Sequence, residues 1–278
     1  MKKPIDKPPE KPFSVFLFAF TITMTLAFFA AVLRLVAPKI ANLTFASSLI
    51  QWCVVFFATH VFLGFAEFFF HRYVLHAPFW FLKRIYVQHT LHHSLTSVKL
   101  IAVRDGTGRI FNRYPILEES QYEASYFPWY SLSVFVGALS PIIVLFQALL
   151  PSWPIAAGMV LAIAWSVSLY EIVHMIEHLS FETFWKPKLS HKRFGNYWMK
   201  FYCFHLRHHA DVMSNENISG FFGIPIADFT FGTYAPWPKA FCHGETLSQG
   251  EFQKEPPKPC RLIRFLDSIL LIKKAVPS

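Results

Sequence analysis

Charge is scarce in this chain. Of 278 residues only 15% are Asp, Glu, Lys or Arg, whereas a soluble globular domain carries about 25%. That shortage excludes an ordinary soluble domain. An aromatic share of 18% excludes a disordered chain, which is poor in aromatics and rich in charge. Cysteine is sparse too. Cys53, Cys203, Cys242 and Cys260 form no Cys-x-x-Cys pair, so neither a disulfide framework nor a cysteine zinc site is indicated.

The charge is missing in blocks. Between Lys11 and Arg34 lie 22 uncharged residues, between Lys39 and Glu67 lie 27, and between Glu123 and Glu171 lie 47. A spanning helix needs about 20 apolar residues. The first two blocks predict one span each. The third predicts two, with Pro151-Ser152-Trp153-Pro154 as the turn. The expected fold is an all-α integral membrane protein with spans near 13–36, 45–69, 130–150 and 155–174. The first apolar run exceeds the 7–15 residues of a signal-peptide core and precedes no small-residue cleavage site, so it reads as an uncleaved anchor.

The net charge of +9 then concerns the membrane rather than nucleic acid. Lys2, Lys3, Lys7 and Lys11 precede the first span. Arg34 and Lys39 lie between spans one and two, and the turn between spans three and four has no basic residue. The remaining 20 Lys and Arg lie in 70–129 and after 174. With four spans these segments share a side with the N-terminus, and the positive-inside rule makes that side cytoplasmic. Two helical hairpins would hang from a basic cytosolic helical cap. Residues 1–12 read as disordered, 13–234 as the membrane domain, and 235–278 as a linker and tail. In that tail Leu262, Ile263, Phe265, Leu266, Ile269 and Leu270 recur at helical spacing beside Arg261 and Arg264. The pattern suits a helix on an anionic membrane surface or one that packs on the protein.

Histidine is abundant. Ten of the 13 fall into four boxes: His71 and His76; His89, His92 and His93; His174 and His178; and His205, His208 and His209. Five precede the second hairpin and five follow it. Residues three and four apart share a helix face, so each of the last three boxes can aim at one metal. The first box fits poorly, because residues five apart diverge by about 140° on an α-helix. Neutral imidazole suits iron, zinc, copper or nickel. Ten donors are too many for one ion and suit two ions with about five each. That coordination favours iron over four-coordinate structural zinc. Glu67, Glu171, Glu177, Asp211 and Asp228 are candidate acceptors for the outer ring nitrogens. His60, His191 and His243 fall outside the boxes, and His60, inside span two, reads as a packing residue.

The box order resembles the membrane di-iron fatty acid hydroxylase and sterol desaturase superfamily. Glu67-Phe-Phe-Phe-His71-Arg72-Tyr73-x-x-His76 is similar to that family's first box, and the other boxes match it in spacing. Gly220-Phe221-Phe222-Gly223-Ile224 and Asp228-x-x-Phe231-Gly232-Thr233 resemble its closing segment. The resemblance covers about 60–234. It implies a four-span bundle under a cytosolic cap, with the ten box histidines as ligands of two iron ions, which zinc can displace. The link 97–129 is longer than in the fatty acid hydroxylases. Asn217 resembles a feature of the sterol-oxidising branch and joins the candidate polar neighbours.

The implied activity is hydroxylation of a lipid C–H bond with dioxygen, a fatty acyl chain ranking ahead of a sterol and a carotenoid third. Desaturation at the same site is the alternative. A histidine-rich metal transporter is the rival from another class, but it should place its ligands at mid-membrane. No flavin, haem or iron–sulfur motif occurs. Electrons are therefore expected from a ferredoxin or small cytochrome with its reductase. The expected location is a bacterial inner membrane or the endoplasmic reticulum. Phe68, Phe69, Phe70, Phe79, Trp80, Phe81, Phe221, Phe222, Phe229 and Phe231 flank the first and last boxes and are expected to wall an apolar channel to the metals.

Overall fold

The structure, a computed structural model, describes residues 14–78, 82–253 and 257–271. The segment 1–12, expected to be disordered, and Phe79, Trp80 and Phe81, expected in the channel wall, lie outside the described residues.

Among the described residues four helices are long and apolar enough to cross a membrane: α1 (Val15–Val36), α3 (Leu49–Phe70) with its continuation to Leu75, α6 (Ser131–Leu149) and α7 (Ile155–Glu177). By length and composition these helices mark the chain as a membrane protein. Two of these spans start or end a few residues from their expected positions. Residues Pro38–Ala46 form a separate short helix, α2, and Ser48 restarts the chain with a capping box to Gln51, so α3 begins at Leu49 rather than near 45. At the other end α7 runs past His174 to Glu177.

The spans are held by apolar interdigitation around α7. It packs along both α3 and α6, while α1 leans on α7 and α6. Val55, Leu132, Val136, Met159 and Ile163 fill the interior. A Cβ at Gly158 would come within 2.5 Å of Val55 Cγ1, so the missing side chain sets how closely α3 and α7 approach. Helix α1 buries no residue, and Phe16 is 83% exposed. In water such a face would be untenable, and in a bilayer it is ordinary.

Beyond the spans lie α4 (Lys83–Leu95), α5 (Glu119–Ser125), α8 (Lys186–Leu189), α9 (Gly195–His208), α10 (Ile226–Phe231), α11 (Gln249–Phe252) and α12 (Arg261–Leu270). The all-α expectation is corrected here. Strands β1 (Val98–Arg104), β2 (Thr107–Asn112) and β3 (Thr246–Ser248) form an antiparallel sheet in that order. Asp105 and Gly106, both at positive φ, make the two-residue turn between β1 and β2. Asp-Gly between β-branched runs favours such a hairpin, so the signal was present in the long 97–129 link. The sheet shields a core of Val98, Ile110, Tyr114, Trp185, Tyr202 and Trp237.

Helix α12 buries Ile263 against Phe68 and Ala227 and leaves Leu262, Phe265 and Ile269 exposed. Its Asp267 grips the buried Arg72 through both oxygens at 2.7 and 2.8 Å. The tail is thereby fastened beside the first histidine box.

Candidate metal centre

The ten box histidines converge in two groups of five: His71, His76, His89, His93 and His208, and His92, His174, His178, His205 and His209. In each group one nitrogen per ring lies within 4.8 Å of all the others.

The first box reaches its group through a local distortion. Residues His71–Leu75 are π-helical, with His76 N–H donating to His71 O at 3.1 Å. A π turn brings residues five apart onto one side, and the His71 and His76 rings stack at 5.0 Å. The poor α-helical spacing is thus resolved by a change of helix type that no residue in the box announces.

The triplets do not each serve one metal. His89 and His93 join the first group and His92 the second. Likewise His205 and His209 join the second and His208 the first. On an α-helix, residues four apart differ by about 40°, while the middle residue of the triplet points about 60–100° away. Helices α4 and α9 therefore bridge both groups. His93 and His209, one from each group, stack at 4.2 Å.

The ring protons are assigned by their outer partners. His71 Nδ1–H donates to Glu216 O at 2.6 Å, His208 Nδ1–H to Ser214 O at 2.8 Å, and His178 Nδ1–H to Tyr114 O at 2.7 Å. A carbonyl only accepts. His92 and His209 reach hydroxyls instead, Ser125 Oγ at 2.8 Å and Thr96 Oγ1 at 2.9 Å. Those hydroxyls already donate, Ser125 to Gln121 O and Thr96 to His92 O, so they too accept from the rings. Five rings accordingly turn a bare Nε2 lone pair inward.

The inward nitrogens crowd one another. His89 Nε2 lies 3.1 Å from His71 Nε2, 3.3 Å from His76 Nε2 and 3.1 Å from His93 Nε2. A single ring proton satisfies at most one of these contacts. In the second group, His205 Nε2 is 3.2 Å from His178 Nε2 and 3.1 Å from His209 Nε2, both bare. Converging lone pairs repel unless a cation sits among them. With a metal–nitrogen bond of about 2.1 Å, ligands at right angles are about 3.0 Å apart and tetrahedral ones about 3.4 Å. The spacing falls between, as a five-donor shell requires. Each group is fitted to hold a metal ion.

Burial keeps the rings outside the spans in the neutral, metal-binding form. Desolvation holds His89, His92, His93, His205 and His209 well below the usual imidazole value, and lowers His208 to about 4 and His178 to about 3.

No family model, curated protein or solved structure matches this chain.

Among the described residues the acidic and amide candidates bond to backbone N–H and C=O groups and to two hydroxyls rather than to the histidine rings. Glu67 accepts from Ser219 N–H, Ser219 Oγ–H and Gly220 N–H. Asn217 donates to Gly64 O and accepts from Ala227 N–H. Asp228 accepts from Glu216 N–H, Asn217 N–H and Thr233 Oγ–H. These three tie down the 214–220 strap, whose carbonyls receive His71 and His208. Asp211 accepts from Met213 N–H just before the strap. Glu171 accepts from Phe127 N–H, and Glu177 Oε2 is buried without a hydrogen-bond partner among the described residues. Arg72 also holds the strap, donating to Met213 O and Glu216 Oε1. Sequence reasoning missed Arg72, Thr96, Tyr114 and Ser125. Only Arg72, a charge at the end of an apolar run, carried a sequence signal.

His60 packs as expected, bonded to Ser166 Oγ at 2.8 Å and accepting from Phe222 N–H.

An apolar cavity of about 560 Å³ opens beside the metal groups, between α3, α4, α6 and α7. His71 and His89 of the first group and His92 and His174 of the second line it. Of the described aromatics expected in its wall, Phe70 alone is there. Tyr126, Phe127, Tyr130, Phe135 and Tyr170 supply the rest. Phe68, Phe69 and Phe231 pack towards α12 instead, and Phe221 and Phe222 cover His60. The cavity extends along α7 from His174 to Ile163, eleven residues or about 16 Å of helix rise.

Proposed function

We propose that this chain is a membrane oxygenase of the fatty acid hydroxylase and sterol desaturase superfamily. It uses dioxygen and external electrons to hydroxylate a C–H bond of a lipid, an acyl chain ranking ahead of a sterol. The observation that carries the reading is the shared wall. Two five-histidine groups and an apolar cavity meet at His71, His89, His92 and His174. A transporter needs polar ligands along a path through the membrane. Here the ligand groups lie at span ends and face a greasy pocket.

Two iron ions held by the ten histidines would supply the oxidising power when bound. One oxygen atom enters the substrate and the other leaves as water, with two electrons and two protons consumed. The protein's own part is orientation and exclusion of water. The cavity seats an apolar chain against the histidine wall. Thr96, Ser125 and the carbonyls of Tyr114, Ser214 and Glu216 hold the rings in the ligating tautomer. The all-imidazole shell brings no charge to offset the metals, and the nearby carboxylates of Glu67, Glu171 and Glu177 supply compensating charge if ionised.

The basic excess on one side supports two hairpins beneath a cytosolic cap, in a bacterial inner membrane or the endoplasmic reticulum. Electrons come from a separate ferredoxin or small cytochrome with its reductase. Desaturation is the alternative outcome at the same site.

The test is lipid analysis of cells with and without the protein, together with metal analysis of the purified chain. The reading requires two irons and a lipid product heavier by one oxygen. A product lighter by two hydrogens selects desaturation. One tightly bound zinc with no iron-dependent lipid product defeats both.

A further inference from the structure

Tyr114 meets the second histidine group twice. Its carbonyl receives His178 Nδ1–H at 2.7 Å, and its ring lies 4.3 Å from the His178 ring. From there a run of electron-rich rings leads outward. Tyr114 to Tyr202 is 5.6 Å, Tyr202 to Trp185 is 5.0 Å, Trp185 to Trp198 is 6.3 Å, and Trp198 to Tyr197 is 4.9 Å. Tyr197 is 58% exposed. No gap between successive centroids exceeds 6.3 Å from the metal ligand to the surface.

Packing alone does not explain these residue types. Tyr114 Oη and Trp185 Nε1 are buried without a hydrogen-bond partner among the described residues. Each such group costs about 1–3 kcal/mol, and phenylalanine would fill much of the same space without that cost. Buried polar groups left unsatisfied call for a functional reason, redox roles among them. Trp237 Nε1 is also unpartnered in this core, but its described ring contacts are with Phe241 and Phe252 and not with the run.

The outer end is basic. Between 181 and 200 stand Lys186, Lys188, Lys192, Arg193 and Lys200 against a single acid, Glu182. Phe194 and Tyr197 are exposed among them. Such a surface steers an acidic protein into contact.

We propose that the rings of Trp198, Trp185, Tyr202 and Tyr114 conduct electrons to the second histidine group from an acidic one-electron carrier protein docked at residues 186–200. This rests on reading the centre as a redox metal pair. Each passage oxidises the carrier by one electron and reduces one ferric ion to ferrous. Two passages supply the two electrons of the proposed oxygenation. No bond forms or breaks in the rings, and Tyr114 Oη, having no acceptor among the described residues, keeps its proton throughout.

The test needs no turnover. Iron-loaded Tyr197→Cys protein, with Cys242→Ser to remove a competing exposed thiol, carries a ruthenium photosensitiser on the introduced thiol. A flash in the presence of a sacrificial reductant injects one electron, and loss of the ferric spectrum is timed. Tyr202→Leu should slow injection by an order of magnitude or more at unchanged iron content, and Trp237→Leu should not. Because Tyr202 is buried, Tyr114→Phe provides a second arm. It keeps the carbonyl bond to His178 and removes an unsatisfied hydroxyl, so the protein should melt no lower while injection slows several-fold. Unchanged injection in the folded, iron-loaded variants overturns the route. Docking is read separately. Lys192→Glu with Arg193→Glu should raise KM for a reduced ferredoxin and leave flash injection unchanged. If KM stays put and binding to anionic vesicles weakens instead, these side chains hold lipid headgroups and the docking half is wrong. A purified protein with no reducible iron would instead sink the oxygenase reading itself, whatever the rings do.

Discussion

Thr96→Val is the sharpest probe of how the second metal group is held. Thr96 is fully buried. Its hydroxyl donates to His92 O at 2.6 Å and accepts His209 Nδ1–H at 2.9 Å. Valine has the same shape. The His92 carbonyl keeps its bond from Thr96 N–H at 3.0 Å, so it is not stranded. What is lost is the acceptor for His209. Either Nδ1–H stays buried and unpaired, at about 1–3 kcal/mol, or the proton moves to Nε2 and blocks the ligand position. Removing such an orienting partner typically weakens a metal site about 10–100-fold, or about 1.4–2.7 kcal/mol. The two estimates agree. Chelator competition with metal analysis by mass spectrometry should therefore strip one of the two ions from the variant at concentrations that leave both in the parent. The first group, to whose rings Thr96 makes no hydrogen bond among the described residues, should retain its ion. If Thr96→Val holds both ions with parental affinity, the proton assignment around His209 is wrong and the tautomer argument fails.

Other outcomes follow from the same geometry. His92→Ala and His208→Ala should each abolish turnover and lower metal content, one from each group, while His243→Ala, outside both groups and bonded to Asn112 N–H, should do little in the same assays. Arg72→Met strands the Glu216 and Asp267 carboxylates and should cost about 3–5 kcal/mol in a denaturant melt; Asp267→Asn, which keeps the Glu216 pair, should cost less. Acid should weaken the metal-free protein. His178 and His208 have folded values of about 3 and 4, so the unfolded chain, with imidazoles near about 6.5, binds more protons between those limits. Their stabilising contribution is present above about pH 6.5 and lost as pH falls towards about 4 for His208 and about 3 for His178. Asp228, raised to about 6 by burial, acts in the opposite direction between about pH 4 and 6; a melting temperature that rises on acidification from pH 6.5 would mean it outweighs the histidines. Finally, a cysteine at Thr107 in inside-out vesicles should label from the bulk and one at Ser152 should be protected. The reverse pattern would invert the topology.

Much of this protein was legible in one dimension. A bilayer demands long uncharged helices, and that demand survives in the sequence as three charge-free blocks with Pro151-Ser152-Trp153-Pro154 between the last two spans. Candidate metal ligands must be of a few residue types, and ten histidines in four boxes pointed to two groups of five, which the structure brings together. The sheet was half legible, since Asp105-Gly106 announces a hairpin but the pairing partner, Thr246–Ser248, lies far along the chain. Which histidine joins which group was decided only in three dimensions. Spacing states that residues share a helix face, but His92 and His208 cross to the opposite group because a neighbouring helix presents the complementary rings there. The π turn at His71 brings His71 and His76 into the same group, and no residue in the box announces it. The channel wall also escaped prediction. Phe68 and Phe231 are equivalent to Phe70 in chemistry, yet they pack towards α12, leaving Phe127, Phe135 and Tyr170 to line the cavity. Composition determines that a side chain seeks apolar surroundings. Which apolar surroundings it finds depends on contacts between elements distant in sequence, and those exist only once the chain has folded.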